Sequence, residues 1–265
     1  MKILIGAVNF NTNEKVKSFL ESINNNIWVK NLELLVLVVS NGEENYKLSH
    51  KYNFNLKLVK TQNLGYINSL NYGIEKSKID IHLFDYFAIS NVDVKMDKHF
   101  FDTLNKLKIS SNTGWISPSI ISEKEKLDRN PKILSRPPKK KLQMLLYSYK
   151  YPFFYKIYKL VFYKANRRLK IQSKKSKIYA GHGSFMLFTK KMMKKIKSFS
   201  YPSFLFGEEI FFGEMCFQHD LIVIYEPKLK IYDSDHASTS KLNNSELMKM
   251  NHDSLKLILK TLYRE

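Results

Sequence analysis

Phe84-Asp85-Tyr86-Phe87-Ala88-Ile89-Ser90-Asn91-Val92-Asp93-Val94 is the stretch that decides the fold. Its apolar run, rich in aromatic and β-branched residues, predicts a buried strand from Ile81 to Ser90. The strand closes on Asn91-x-Asp93, two oxygen-bearing side chains two residues apart. On an extended backbone such residues project to the same side. Asn91 and Asp93 can therefore address one object at the strand's C-terminal edge, where open α/β sheets bind their ligands. One carboxylate with one amide oxygen suits a hard cation that keeps phosphate and water oxygens among its ligands. Taken by itself, the pair also fits an Asx turn closing a strand.

Upstream, the same grammar repeats. Lys2 to Val8 reads as a first buried strand, followed by the polar turn Asn9-Phe10-Asn11-Thr12-Asn13. Thr12 or Asn13 can cap a helix whose apolar positions Val16, Phe19, Leu20 and Ile23 follow the 3.6 period. Leu34 to Val39 is apolar throughout, as parallel strands buried on both faces are; it ends at Ser40-Asn41-Gly42. A third strand, Leu56 to Val59, leads into Thr61-Gln62-Asn63-Leu64-Gly65-Tyr66 and a helix from Ile67 to Lys76. Strands alternating with helices in short steps predict a doubly wound α/β half.

The chain has 265 residues, 44% hydrophobic and 14% aromatic, which supports a folded chain with a sizeable core and excludes general disorder. Its single cysteine, Cys216, excludes an intrachain disulfide framework and fits a reducing compartment. The apolar run after Lys2 is too short for a signal-peptide core, and later runs are broken by lysine short of the ~18 residues of a spanning helix. The expectation is a soluble, cytoplasmic protein. Of the formal net charge of +20, +16 falls between Lys124 and Lys177, where eighteen Lys/Arg face two acids.

Four N-terminal motifs, Ala7-Val8-Asn9-Phe10-Asn11, Val38-Val39-Ser40-Asn41-Gly42, the run from Asn63 through Gly65 and Asn71 to Gly73, and Ser90-Asn91-Val92-Asp93-Val94, resemble glycosyltransferase family 2 in order and spacing. Downstream, Gly181-His182-Gly183-Ser184-Phe185-Met186-Leu187-Phe188 is similar to that family's acceptor-side strand. Phe204-Leu205-Phe206-Gly207-Glu208-Glu209 is similar to its acidic motif, and Asp235-His236-Ala237-Ser238-Thr239-Ser240 to its late histidine motif. The match covers roughly residues 1–100 and 178–240. The resemblance implies a GT-A fold, an α/β architecture of two abutting Rossmann-like halves. It also implies inverting transfer from a nucleotide-diphosphate sugar to a growing surface glycan or lipid-linked acceptor, with Mg²⁺ or Mn²⁺. On the same basis Asp93 holds the metal–diphosphate with Asn91. Asn9, Asn11, Ser40, Asn63, Gly65 and Asn71 bind the nucleotide sugar, and Glu209 is the general base, preceded by Glu208. His236 is a metal ligand or a donor-phosphate contact. Two positions depart from the pattern: Ser40 and Glu209 stand where the family has Asp.

These segments divide the chain into a nucleotide-sugar-binding half (1–123), a basic helical insert (124–177), an acceptor-side half (178–240) and a C-terminal helix (241–265). In the insert, Leu142 to Tyr151 reads as a short helix ended by Pro152, and a longer one runs from Phe153 to Ile171. On the latter, Lys156, Lys159, Lys164, Arg167 and Lys170 fall on one face and Phe154, Ile157, Val161, Ala165 and Leu169 on the other. Three readings fit: a peripheral anchor on the anionic inner face of a membrane, an acceptor-side lid with a solvated basic face, and a nucleic-acid patch. After a strand from Leu221 to Tyr225 and a turn at Pro227, the last helix carries Leu247, Met250, Leu255, Ile258, Leu259 and Leu262 as an apolar stripe that can pack on the domain or form an oligomer.

A nucleotidyltransferase would need a glycine-rich basic loop after the first strand, which Asn9 to Asn13 lacks. A non-catalytic membrane- or nucleic-acid-binding protein on a transferase-like fold is the other alternative.

Overall fold

The computed structural model describes residues 1–42, 51–158, 174–196, 199, 201–234 and 243–263. Its first half is built on four parallel strands: β1 (Lys2–Asn9), β2 (Glu33–Ser40), β3 (Asn55–Lys60) and β4 (Tyr86–Asn91). They lie in the order β3-β2-β1-β4, so the chain changes direction between β1 and β4. That switch point opens a crevice at the strand C-termini. Helices α1 (Asn13–Asn24) and α2 (Tyr66–Lys76) cover opposite faces. Ile3, Ile5 and Ala7 join the core beneath α1, while Leu4 joins the core beneath α2. This alternation is the pleat expressed as packing. Val16, Phe19, Leu20 and Ile23 of α1 are all buried, as their spacing predicts; each contributes roughly 1.5–3 kcal/mol relative to exposure.

The sheet continues without a break into the second half. Beyond β4 come β8 (Phe185–Thr189), β6 (Thr113–Ser122), β9 (Ile222–Asp233) and β5 (Val94–Met96), with β7 (Ser176–Ile178) also paired to β9. Strand β8 runs antiparallel to both β4 and β6, β9 is parallel to β6, and β5 and β7 are antiparallel to β9. The two halves thus abut through the β4–β8 pair in one mixed sheet. Between these strands lie α3 (Phe100–Lys106), α4 (Lys139–Lys150), α5 (Pro152–Tyr158), α6 (Lys190–Lys195) and α7 (Glu208–Gln218). Helix α8 (Asn244–Thr261) follows β9 and opens with a capping box between Asn243 and Glu246. Its Leu255 and Ile258 are buried in the core, so part of the C-terminal stripe is covered by the chain itself.

Two local expectations are corrected. Ile81–Leu83 is a turn of 3-10 helix and not the start of a strand, because the Asp80 carboxylate accepts the His82 N–H and closes the backbone there. Strand β9 does not end at Pro227. It bulges between Glu226 and Lys230, where Pro118 and Ser119 of β6 remain consecutive, and then continues to Asp233. The bulge lets a proline sit in a paired strand without a lost ladder bond. In the basic segment α4 and the first turns of α5 form; Lys159, Lys164, Arg167, Lys170, Val161, Ala165 and Leu169 lie outside the described residues. Among the described residues no helix is long and apolar enough to cross a membrane.

Candidate active site

A cleft of about 470 Å³ opens at the β1/β4 switch point. The chain leaves β4 at Asn91, bends through Val92 and Asp93, and re-enters the sheet as β5 beside the end of β9. Asn91 and Asp93 both line the cleft. The backbone carbonyl of Asp93 accepts the Ser234 N–H at 3.0 Å and its hydroxyl at 2.7 Å, which fixes the bend. Asp93 is almost wholly buried. Asp233 lines the same cleft and pairs with Arg129 at 3.4 Å.

The other wall is the start of α7. Gly207 caps this helix in the left-handed region at φ +87°, and Phe206 before it has φ +69°. The hydroxyls of Tyr201 and of Ser254 on α8 both donate to the Phe206 carbonyl, and the two hydroxyls lie 3.0 Å apart. A Cβ on Gly207 would approach Ile258 and Ser254 to 2.8 Å. Helix α8 therefore braces the turn that aims Glu208 and Glu209 into the cleft. Glu209 Oε1 accepts the Gly183 N–H at 3.2 Å, and Glu208 Oε1 accepts the Phe206 N–H at 3.0 Å. Burial, and then the charge of Glu209, pushes the Glu208 carboxyl up to about 8. Both causes favour the protonated form of Glu208 over the ionised one.

Tyr66 joins the two walls. Its hydroxyl donates to the Gly183 carbonyl at 3.2 Å. Full burial, and then the charges of Glu208, Asp93 and Glu209, hold the phenol well above its usual range. One side chain from α2 thus feels the carboxylates of both walls. The latch extends along α2: Asn68 donates to the Ser203 carbonyl and accepts the Tyr201 N–H, and the Tyr66 N–H reaches the Phe204 carbonyl. Gly65, at φ +88°, is required at this approach, since a Cβ there would lie 1.9 Å from the Phe204 carbonyl oxygen.

A second hollow of about 1,060 Å³ adjoins the cleft and shares Phe10, Asn41 and Asn63 with it. Asn11 and Gly42 also line it. Asn11 Oδ1 and Asn41 Oδ1 are buried without a hydrogen-bond partner among the described residues. An unpaired buried amide oxygen carries a desolvation cost that a ligand donor would relieve. Asn41 Nδ2 is held by Asn63, the Gly65 carbonyl and Ser69.

Of the residues expected from the sequence, Asn91, Asp93, Asn63, Gly65, Glu208 and Glu209 meet at the cleft, and Asn11 lines the adjoining hollow. Asn9 and Ser40 do not line either space: Asn9 is buried, accepts from Thr12 and donates to Asn13 and Ser40. Asn71 sits along α2 away from both linings. His236 lies outside the described residues. The sequence reading missed Asn41, Tyr66, Asp233, Arg129 and Lys132. The last two open the segment read as an insert, where an Asp128-centred turn ties them to β6. His182 also reaches the cleft, held by Asn130 and Ser184.

Among the described residues no three His, Cys, Asp or Glu side chains converge as a metal cage. Asp93 and Asn91 nonetheless offer hard oxygens to the cleft. That donor set fits a divalent cation that takes its remaining ligands from substrate phosphates and water.

No family model and no curated protein sequence matches the chain. Solved structures do. S. aureus TarS 1–349 in complex with UDP-GlcNAc superposes with a TM-score of 0.59 at 10% identity, covering 100% of this chain and 68% of that one. GalNAc-T7 with UDP, GalNAc and Mn²⁺ gives 0.59 at 9%, covering 97% and 48%. The mannosyltransferase PcManGT from Pyrobaculum calidifontis, with GDP-Man and Mn²⁺, gives 0.54 at 12%, covering 89% and 57%. The chain spans about half to two thirds of the length of these proteins. The fold is that of GT-A glycosyltransferases.

Proposed function

We propose that the chain is a metal-dependent, inverting glycosyltransferase of the family 2 type. It would move a sugar from a nucleotide-diphosphate donor to a hydroxyl of a growing surface glycan or lipid-linked acceptor. The observation that carries this reading is the meeting of Asn91 and Asp93 with Glu208 and Glu209 across one cleft at the β1/β4 switch point. The neighbours' UDP and GDP donors and Mn²⁺ support it.

In this reading the nucleoside lies in the hollow lined by Asn11, Asn41 and Asn63, where two buried amide oxygens await donors. The diphosphate lies toward Asn91 and Asp93, near the cationic side chains of Arg129 and Lys132. A bound Mg²⁺ or Mn²⁺ supplies charge neutralisation for the departing nucleoside diphosphate. Asp93, with His236, would hold it. Glu209 takes the proton from the acceptor hydroxyl. As the acceptor oxygen bonds to the anomeric carbon, the bond to the diphosphate oxygen breaks on the opposite side, and configuration inverts. Glu208, next to Glu209, is held toward its protonated form by burial and by that residue's charge. The basic segment would hold the enzyme peripherally at the anionic inner face of a membrane.

The test is release of nucleoside diphosphate from a panel of UDP-, dTDP- and GDP-sugars with Mn²⁺, Mg²⁺ or EDTA. One donor should be hydrolysed slowly in a metal-dependent manner, and Asp93→Ala should lower that rate roughly 10²–10³-fold. Absence of hydrolysis together with absence of calorimetric donor binding would overturn the proposal.

A further inference from the structure

Helix α4 presents two faces of opposite use. Leu142 and Ser148 are buried against the core, whereas Lys140, Met144, Tyr147, Lys150 and the following Tyr151 lie on the solvent face. Phe153 and Phe154 extend that face along α5. Five of the thirteen exposed large apolar side chains among the described residues thus fall within residues 144–154. Scattered exposed apolar residues need no explanation, but a contiguous patch marks an interaction surface.

A groove of about 750 Å³ lies beside this patch, between α4 and α8. Its charged lining is cationic: Lys150 from α4, with Lys249 and Lys256 from α8. Tyr147 and Tyr149 add phenol groups. Of the acids on α8, Glu246 closes the capping box, and Asp253 lies 3.0 Å from Nδ1 of His252, which lines the groove. From Arg129 to Gly207 the sequence contains no Asp or Glu. Helix α8 forms the boundary between groove and active site, since it also lends Met250 to the cleft.

We propose that the α4–α8 groove binds the headgroups of an anionic phospholipid bilayer, with Met144, Tyr147, Tyr151, Phe153 and Phe154 as the interfacial anchor. Charge complementarity selects this occupant: lysines supply the headgroup attraction, and amphipathic aromatic rings suit the boundary between headgroups and acyl chains. The docking surface is then shared between the basic segment and the C-terminal helix, and differs from the lysine stripe expected on the helix after Phe153. The inference builds on the peripheral part of the functional reading but is independent of the transfer chemistry.

The full chain is sedimented with phosphatidylcholine vesicles with and without phosphatidylglycerol, at low and physiological salt. Binding should require phosphatidylglycerol and weaken with salt. Lys249→Gln with Lys256→Gln should lower partitioning roughly twenty-fivefold, about fivefold for each lysine. Tyr147→Ser with Phe154→Ser should weaken binding at both salt concentrations, and thermal melts monitored by circular dichroism keep loss of fold distinct. Asp93→Ala should bind vesicles as the wild type does, so failure of catalysis and failure of docking separate. Vesicle binding unaltered by both double variants would overturn the groove while leaving peripheral attachment through another surface. Binding to single-stranded RNA but not to vesicles would overturn membrane docking altogether.

Discussion

The first two turns of helix α7 treat buried carboxylates in opposite ways. At the second turn Glu214, almost wholly buried, receives a bidentate pair from Arg136 at 2.8 and 2.9 Å and the Tyr179 hydroxyl at 2.9 Å. The guanidinium is itself held between the rings of Phe217 and Tyr263, at 4.5 and 4.7 Å. At the first turn Glu208 is also buried but has backbone N–H groups and a second carboxylate as company. The first arrangement locks the Arg136 loop, α7 and the chain's last turn together. The second leaves unfavourable electrostatics inside the cleft, as catalytic sites do. In the proposed reading, stability and function occupy the same helix about six residues apart because the partner, not the burial, decides what a carboxylate does.

The comparison can be broken first at Glu209. Glu209→Gln should lower sugar transfer by about 10²–10⁴-fold while leaving the melting temperature near that of wild type, measured by product formation and calorimetry. A comparable loss of stability would make Glu209 a structural residue. At the second turn, Arg136→Ala strands Glu214 without its cation. It should destabilise the fold by about 3–5 kcal/mol in urea titrations, and the additional Glu214→Gln should recover part of that loss.

The last test of the comparison concerns pH. A Glu208 carboxyl raised to about 8 contributes stability that is fully present below its unfolded value of 4.5 and is lost as pH rises through about 8. Relative to Glu208→Gln, the wild type should therefore lose on the order of 1 kcal/mol per pH unit over that window. Parallel stability curves for the two proteins would show that Glu208 is ionised in the folded state.

Much of the first half is legible from local pattern. The continuous apolar strands, the 3.6 period of Val16, Phe19, Leu20 and Ile23, and polar residues at each strand end predict a parallel half with its ligand crevice at the C-terminal edge. Asn91 and Asp93 meet there because they belong to one short segment. The choice between Ser40 and Asn41 was not legible. The chain leaves β2 at Ser40, whose hydroxyl accepts from Asn9, and the next residue turns to both hollows. One residue of parity reverses which side chain meets a ligand. Arg129, Lys132 and Asp233 were obscured for a different reason, since the first two sit in a charge-rich segment and the third at the end of a strand that a proline seemed to stop.

By itself, then, the sequence determined the alternation of elements, the faces they bury and the chemical types at the strand ends. These follow from backbone periodicity and hydrophobic burial within a few residues. Only the tertiary structure decided that Tyr66 would join the two walls, that α8 would brace the turn before Glu208, and that burial would push the Glu208 carboxyl up while Glu214 is ion-paired. Those outcomes depend on the β4–β8 and β5–β9 registers and on helix packing between distant segments. Dielectric and distance act through space, and neither is written in the local order of residues.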